Sequence, residues 1–103
     1  MSNAFVAVLL IHLHFPEVEN LKAKRSELAP VKAHLIKLGG AVAEVDHQDL
    51  WQRATLAAAF VGGSARRLDD HIDAVEGWLD ARFEHGGSIE RTLTSIQELS
   101  EIA

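Results

Sequence analysis

The stretch Gln52–Val61, QRATLAAAFV, decides the fold, because its two readings lead to different molecules. Alanine is the best helix former and a weak strand former, so propensity alone makes the segment helical. Pattern and flanks point the other way. A polar connection, DHQDLW (Asp46–Trp51), precedes it, and Gly62, Gly63 and Ser64 follow as a turn and helix cap. Read as a strand, it places Arg53, Thr55, Ala57, Ala59 and Val61 on one face.

Upstream, AVAEV (Ala41–Val45) reads as a short strand paired through that connection. Residues 5–15 form another, with Phe5, Ala7, Leu9, Ile11, Leu13 and Phe15 on one face and Val6, Val8, Leu10, His12 and His14 on the other. A strand apolar on both sides belongs in the middle of a sheet. Pro16 ends it. Asn20 then caps a helix whose Leu21, Leu28, Val31, Leu35 and Leu38 recur at helical spacing until Gly39 and Gly40 stop it. Pro30 interrupts that helix and predicts a kink near Ser26 or a restart at Pro30.

Downstream, Leu68, Ile72, Val75 and Leu79 mark a second helix, which Gly86 and Gly87 end. The tail SIERTLTSIQELSE reads as a strand whose later half could equally be helical. The predicted class is α+β, a ferredoxin-like βαββαβ unit with a four-stranded antiparallel sheet and two helices on one face. The other face stays open, and its centre is apolar.

At 103 residues the chain makes one domain, residues 1–103, with 1–4 set aside as flexible or tag-derived. A hydrophobic fraction of 48% against 24% charged excludes a disordered chain. The absence of cysteine excludes disulfides, thiolate zinc sites and cysteine nucleophiles, and makes a cytoplasmic setting the expectation. The run AFVAVLLIHLHF is too short for a membrane span and lacks a basic leader, so no membrane partner is expected. A net charge of −5 argues against general binding to phosphate backbones, and no DNA partner is expected.

Two segments, NLKAKRSEL (Asn20–Leu28) and AEVDHQDLWQRATL (Ala43–Leu56), together with LHFPE (Leu13–Glu17), resemble the signature of the YlxP-like family of small bacterial proteins of unknown function. The resemblance follows the whole chain in element order. It implies a ferredoxin-like fold, dimeric or higher assembly, and gene neighbours concerned with translation initiation and ribosome maturation, hence a link to ribosomes or RNA. It brings no established catalytic residues.

Three constellations carry chemistry. Glu44, Asp46, His47 and Asp49 could join His12 and His14, which share a strand face, in a metal or hydrolytic centre. Against this, the spacing fits no compact metal motif, and Asp46 and Asp49 suit backbone bonding in a tight turn. The metal candidates are therefore His12, His14, His47 and Asp46, with no cofactor implied.

Trp51 and Arg53 could stack on a base and clamp a phosphate, although a tryptophan before a central strand more often anchors the core. The first helix carries Lys22, Lys24, Arg25, Lys32 and Lys37 against Glu27, a local charge of +4 in an acidic chain. Lys22, Lys24 and Arg25 sit in the first turn, where the helix dipole disfavours cations, which points to an anionic partner. The competing reading is a solvated face, as for the acidic second helix with Asp69, Asp70, Asp73, Glu76 and Asp80. No phosphate loop, nucleophile elbow or metal-binding helix motif occurs.

These readings predict a non-enzymatic binding protein. Its partner surface comprises Lys22, Lys24, Arg25, Lys32, Trp51 and Arg53, directed to RNA or the ribosome. The apolar sheet face (Val6, Val8, Leu10, Ala57, Ala59) predicts a homo-oligomer, unless the tail covers it. The alternatives are a metal-dependent or hydrolytic enzyme and a purely structural subunit.

Overall fold

The alanine-rich segment is a strand. In the computed structural model, which describes residues 3–83 and 87–102, β3 (Arg53–Gly62) lies between β1 (Phe5–His14) and β2 (Ala41–Asp46). The sheet order is β2-β3-β1-β4, with β4 (Gly87–Ser95) on the far edge and all neighbours antiparallel. β3 pairs with β1 along its full length, from Phe5 opposite Gly62 to His14 opposite Arg53. Ladder bonds on both sides and burial of one face override the helical preference of its alanines.

Helix α1 (Leu21–Lys37) links β1 to β2, and α2 (Ala65–Arg82) links β3 to β4. Their ends are chemically specified. The Asn20 side chain accepts from the Ala23 amide at 2.8 Å, and Ser64 accepts from the Arg67 amide at 3.4 Å. After α1, Gly39 takes a φ of +96°, which an L side chain rarely adopts. A Cβ on Gly40 would come within 2.9 Å of the Phe60 ring and 3.0 Å of the Leu35 carbonyl oxygen. That close approach lets the chain turn directly into β2.

The core lies between the sheet and the helices. Ala7, Leu9, Ile11 and Leu13 of β1 and Ala54, Leu56, Ala58 and Phe60 of β3 are buried, as the alternation requires. Leu28, Val31 and Leu35 of α1 and Leu68, Ile72, Val75 and Leu79 of α2 pack against them. His34 stacks on Trp78 between the helices, with ring centroids 3.9 Å apart and an interplanar angle of 16°.

Several expectations need correction. Helix α1 runs unbroken through Pro30 and does not restart there, its turns held by Leu28, Val31 and Leu35 in the core. The tail divides at Ser95: β4 ends and a third helix, α3 (Ile96–Ile102), follows, so there are three helices rather than two among the described residues. The Ser95 hydroxyl accepts from the Glu98 amide at 3.0 Å and starts that helix. Ala4 is tied into the fold, its carbonyl accepting from the Ile96 amide at 2.8 Å. Gly86, expected to end α2, lies outside the described residues, as do Met1 and Ser2.

The acidic face of α2 is not simply solvated. Arg91 of β4 donates to Asp73 at 2.7 Å and to Asp69, with Glu76 at 3.4 Å. The hydrogen bond to Asp73, aided by the charges of Glu76 and Asp69, holds the Arg91 guanidinium above its ordinary pKa despite some desolvation. This clamp fastens the edge strand to the helix beneath it.

Candidate functional site

The connection between β2 and β3 is organised around one buried cation. Lys24 of α1 is only 1% exposed, and its ammonium donates to the carbonyls of His47 at 2.7 Å and Leu50 at 2.8 Å, with that of Gln48 at 3.5 Å. Glu44 Oε2 lies 2.9 Å away and supplies the countercharge as an ion pair. Glu44 reaches that position because its partner in β3 is Leu56, on the helix side of the sheet. A register shift between Glu44 and Asp46 then returns Asp46 to a place opposite Thr55.

Local geometry aims the carbonyls. His47 takes a φ of 62°, uncommon for a residue with a Cβ, and the Asp46 carboxylate accepts from its amide at 2.8 Å. Leu50 N–H closes the turn onto the His47 carbonyl at 3.1 Å. Gln52 fastens the far side, its side-chain amide donating to the Pro16 carbonyl at 3.0 Å and its own carbonyl accepting from the Phe15 amide at 2.8 Å. Lys24 is therefore part of the fold, not of a presented basic surface: four oxygens surround its ammonium and no solvent reaches it. The sequence signal was present in the pairing of a first-turn lysine with Glu44, but nothing in the spacing revealed that the two meet.

With its backbone turned inward, the connection turns side chains outward. Trp51 is 52% exposed, which corrects the expectation that it anchors the core, and Leu50 is 49% exposed. They join His14, Asp49, Gln52 and Arg53 around an open concavity of about 570 Å³. His14 and Arg53 face each other across β1 and β3 and also line a second concavity, of about 400 Å³, with His12, His47, Thr55 and Ser88. The two form one continuous polar end to the open sheet face.

Within it, the proposed metal ligands do not form a metal site: no group of three or more His, Asp or Glu able to hold an ion occurs among the described residues. Both ring nitrogens of His12 are engaged. Nε2 lies 2.7 Å from the Glu90 carboxylate, and Nδ1 lies 3.2 Å from the Thr55 hydroxyl. His47 lies 3.8 Å from Asp46 of its own turn, and His14 is exposed. Of the remaining cations of α1, Lys22 and Arg25 are exposed and Lys32 is half-buried. Lys22 and Arg25 flank Lys24 in the first turn, at the same end of the molecule as Trp51.

The middle of the open face is apolar. Val8 of β1 sits opposite Ala59 of β3, Leu10 opposite Ala57 and Val6 opposite Val61. Ala41 and Ala43 of β2 extend the row beyond Ala59 and Ala57, and Thr92 and Thr94 of β4 continue it beyond Val8 and Val6. Val8 is 39% exposed and Val61 75%. The face stays open at Val8 and Val61, and the larger contacts of α3 are with β4 alone.

A family model described as "Protein of unknown function (DUF503)" matches residues 6–92, from the first strand into the last. The chain belongs to the DUF503 family. All the residues of the Lys24 corner and of the Trp51 concavity fall within the DUF503 match. No curated protein matches the chain. Among solved structures, the de novo designed protein Foldit4 is similar to this DUF503 chain with a TM-score of 0.67 at 5% identity, over 88% of this chain and 96% of that one. At that identity the likeness concerns the fold alone. No helix among the described residues is long and apolar enough to cross a membrane.

Proposed function

We propose that this DUF503 protein is a non-catalytic binding protein of the ferredoxin-like, YlxP-like type that takes single-stranded RNA at the polar end of its open sheet face and self-associates through the apolar remainder. The observation that carries the RNA reading is Trp51, a half-exposed indole sharing one concavity with Arg53 and His14. An exposed indole offers a stacking surface to any base, and a neighbouring guanidinium offers a fork to phosphate. Lys22 and Arg25 extend the positive charge at that end, whereas Lys24 contributes none to a partner. In this reading the ribosome is the source of the RNA and the cytoplasm the place of action. The metal-dependent reading has less support, since His12 is already bonded at both nitrogens.

The test is titration with an oligouridine, followed by indole fluorescence in a Trp78→Phe background so that only Trp51 reports. Expected is quenching whose affinity falls steeply with salt. Read instead by the anisotropy of a fluorescently labelled oligouridine, Trp51→Ala should weaken binding by about 5- to 150-fold, the stacking contribution of one base. Arg53→Glu should abolish it without altering the circular dichroism. Absence of quenching at low salt, or affinity indifferent to both substitutions, rejects the reading.

A further inference from the structure

The C-terminal helix and the end of the open face are each incomplete. In α3, Ile96, Leu99 and Ile102 recur every three residues, and they are 47%, 41% and 84% exposed. The helix rests on β4 alone among its larger contacts, and its direction is set by the Ser95 cap and by the bond from the Ile96 amide to Ala4. It therefore stands off the sheet as an arm. The long axis of the molecule, 52 Å, exceeds the roughly 33 Å of a ten-residue strand, in keeping with an element projecting past the sheet.

At this same end lies a groove of about 640 Å³ between the β3–α2 turn and the start of α2, lined by Val61, Gly62, Gly63, Arg67, Leu68 and His71. The two features are neighbours because Phe5 pairs with Gly62 on one side and with Ser95 on the other. Val61, the most exposed large apolar residue of the sheet, belongs to both the groove and the open face. A side chain at Gly63 would meet open space, so nothing among the described residues fills the turn. The charges complement. Helix α3 carries Glu98 and Glu101 and no cation, while the groove presents Arg67, with Arg66 exposed beside it. Asp69, on the same turn, is occupied by Arg91.

We propose that the groove is filled by α3 of a second copy of this chain, the two copies exchanging arms about a two-fold axis. Leu99 and Ile102 of each arm lie on Val61 and the glycine turn of the other chain, and Glu101 faces Arg67. A two-fold exchange satisfies both unpartnered surfaces at once, which is what an isologous interface requires. It also continues directly into the Val6–Val8 face. The inference rests on the self-association proposed above and specifies its geometry.

The cysteine-free chain makes the test direct. Val61→Cys and Leu99→Cys variants are mixed and oxidised, and the expected product is a disulfide-linked heterodimer exceeding the cross-linked product of either variant alone. In light scattering, Leu99→Glu should shift the protein towards monomer with circular dichroism unchanged. Arg67→Glu and Glu101→Arg should each weaken association by about fivefold or less, and their combination should restore it. A dimer that Leu99→Glu leaves intact but Val8→Glu disrupts overturns the arm exchange and spares the sheet-face reading. A wild-type monomer at all concentrations overturns both.

Discussion

Lys24 and Arg53 are cations attached to the same corner, one from below the sheet and one from above it, and they lead opposite lives. Lys24 is sealed among the His47 and Leu50 carbonyls and Glu44, while Arg53 is exposed beside Trp51 and His14. Arg91 is intermediate, holding three carboxylates of α2 from a side chain 30% exposed. Charge in the chain does not by itself distinguish a residue serving the fold from one serving a partner. The number of oxygens already committed to it does. A buried ammonium with its hydrogens placed has nothing left to offer a ligand, whereas an exposed guanidinium with no acceptor among the described residues keeps its donors for one.

Removing each cation in turn tests that contrast. Lys24→Ala leaves Glu44 and the inward carbonyls without their partner, and chemical denaturation should show a loss of about 3–5 kcal/mol. A loss under about 1 kcal/mol would mean that water replaces the ammonium and that the corner is no more buried than its neighbour. Arg91→Ala should cost about 0.5–1 kcal/mol at low salt, and less in molar salt, because its ion pairs are partly solvated. Arg53→Ala should leave stability within about 0.5 kcal/mol. If Arg53→Ala destabilised the protein as much as Arg91→Ala, the exposed end would be a structural device and the binding reading would lose its basis.

The same contrast explains which parts were readable in advance. The parity of β1 and β3 follows from the two-residue period of a strand, which sets Leu9, Ile11 and Leu13 on one face opposite His12 and His14, and Phe60 opposite Ala59 and Val61; the helix ends follow from Asn20, Gly39 and Ser64. Those are local signals, set by residues one to four positions apart. The fate of Lys24 was not local. Its partners lie 20 to 26 residues onward, and apart from the Glu44 carboxylate they are backbone oxygens, which every residue possesses and no side-chain pattern advertises. Trp51 was misjudged for a related reason: whether an indole beside a strand points in or out depends on how the preceding turn is pulled.

By itself, then, the sequence determined the strands, the two long helices, the core-facing parity and an uncovered apolar side, since each depends on spacing along the chain. Only the tertiary structure decided that a first-turn lysine is the hub of the β2–β3 corner, that the indole beside it faces solvent, and that the tail leaves the sheet as a separate helix. Those outcomes depend on which backbone dipoles and carboxylates converge in space, and convergence across twenty residues or more has no signature in any single stretch.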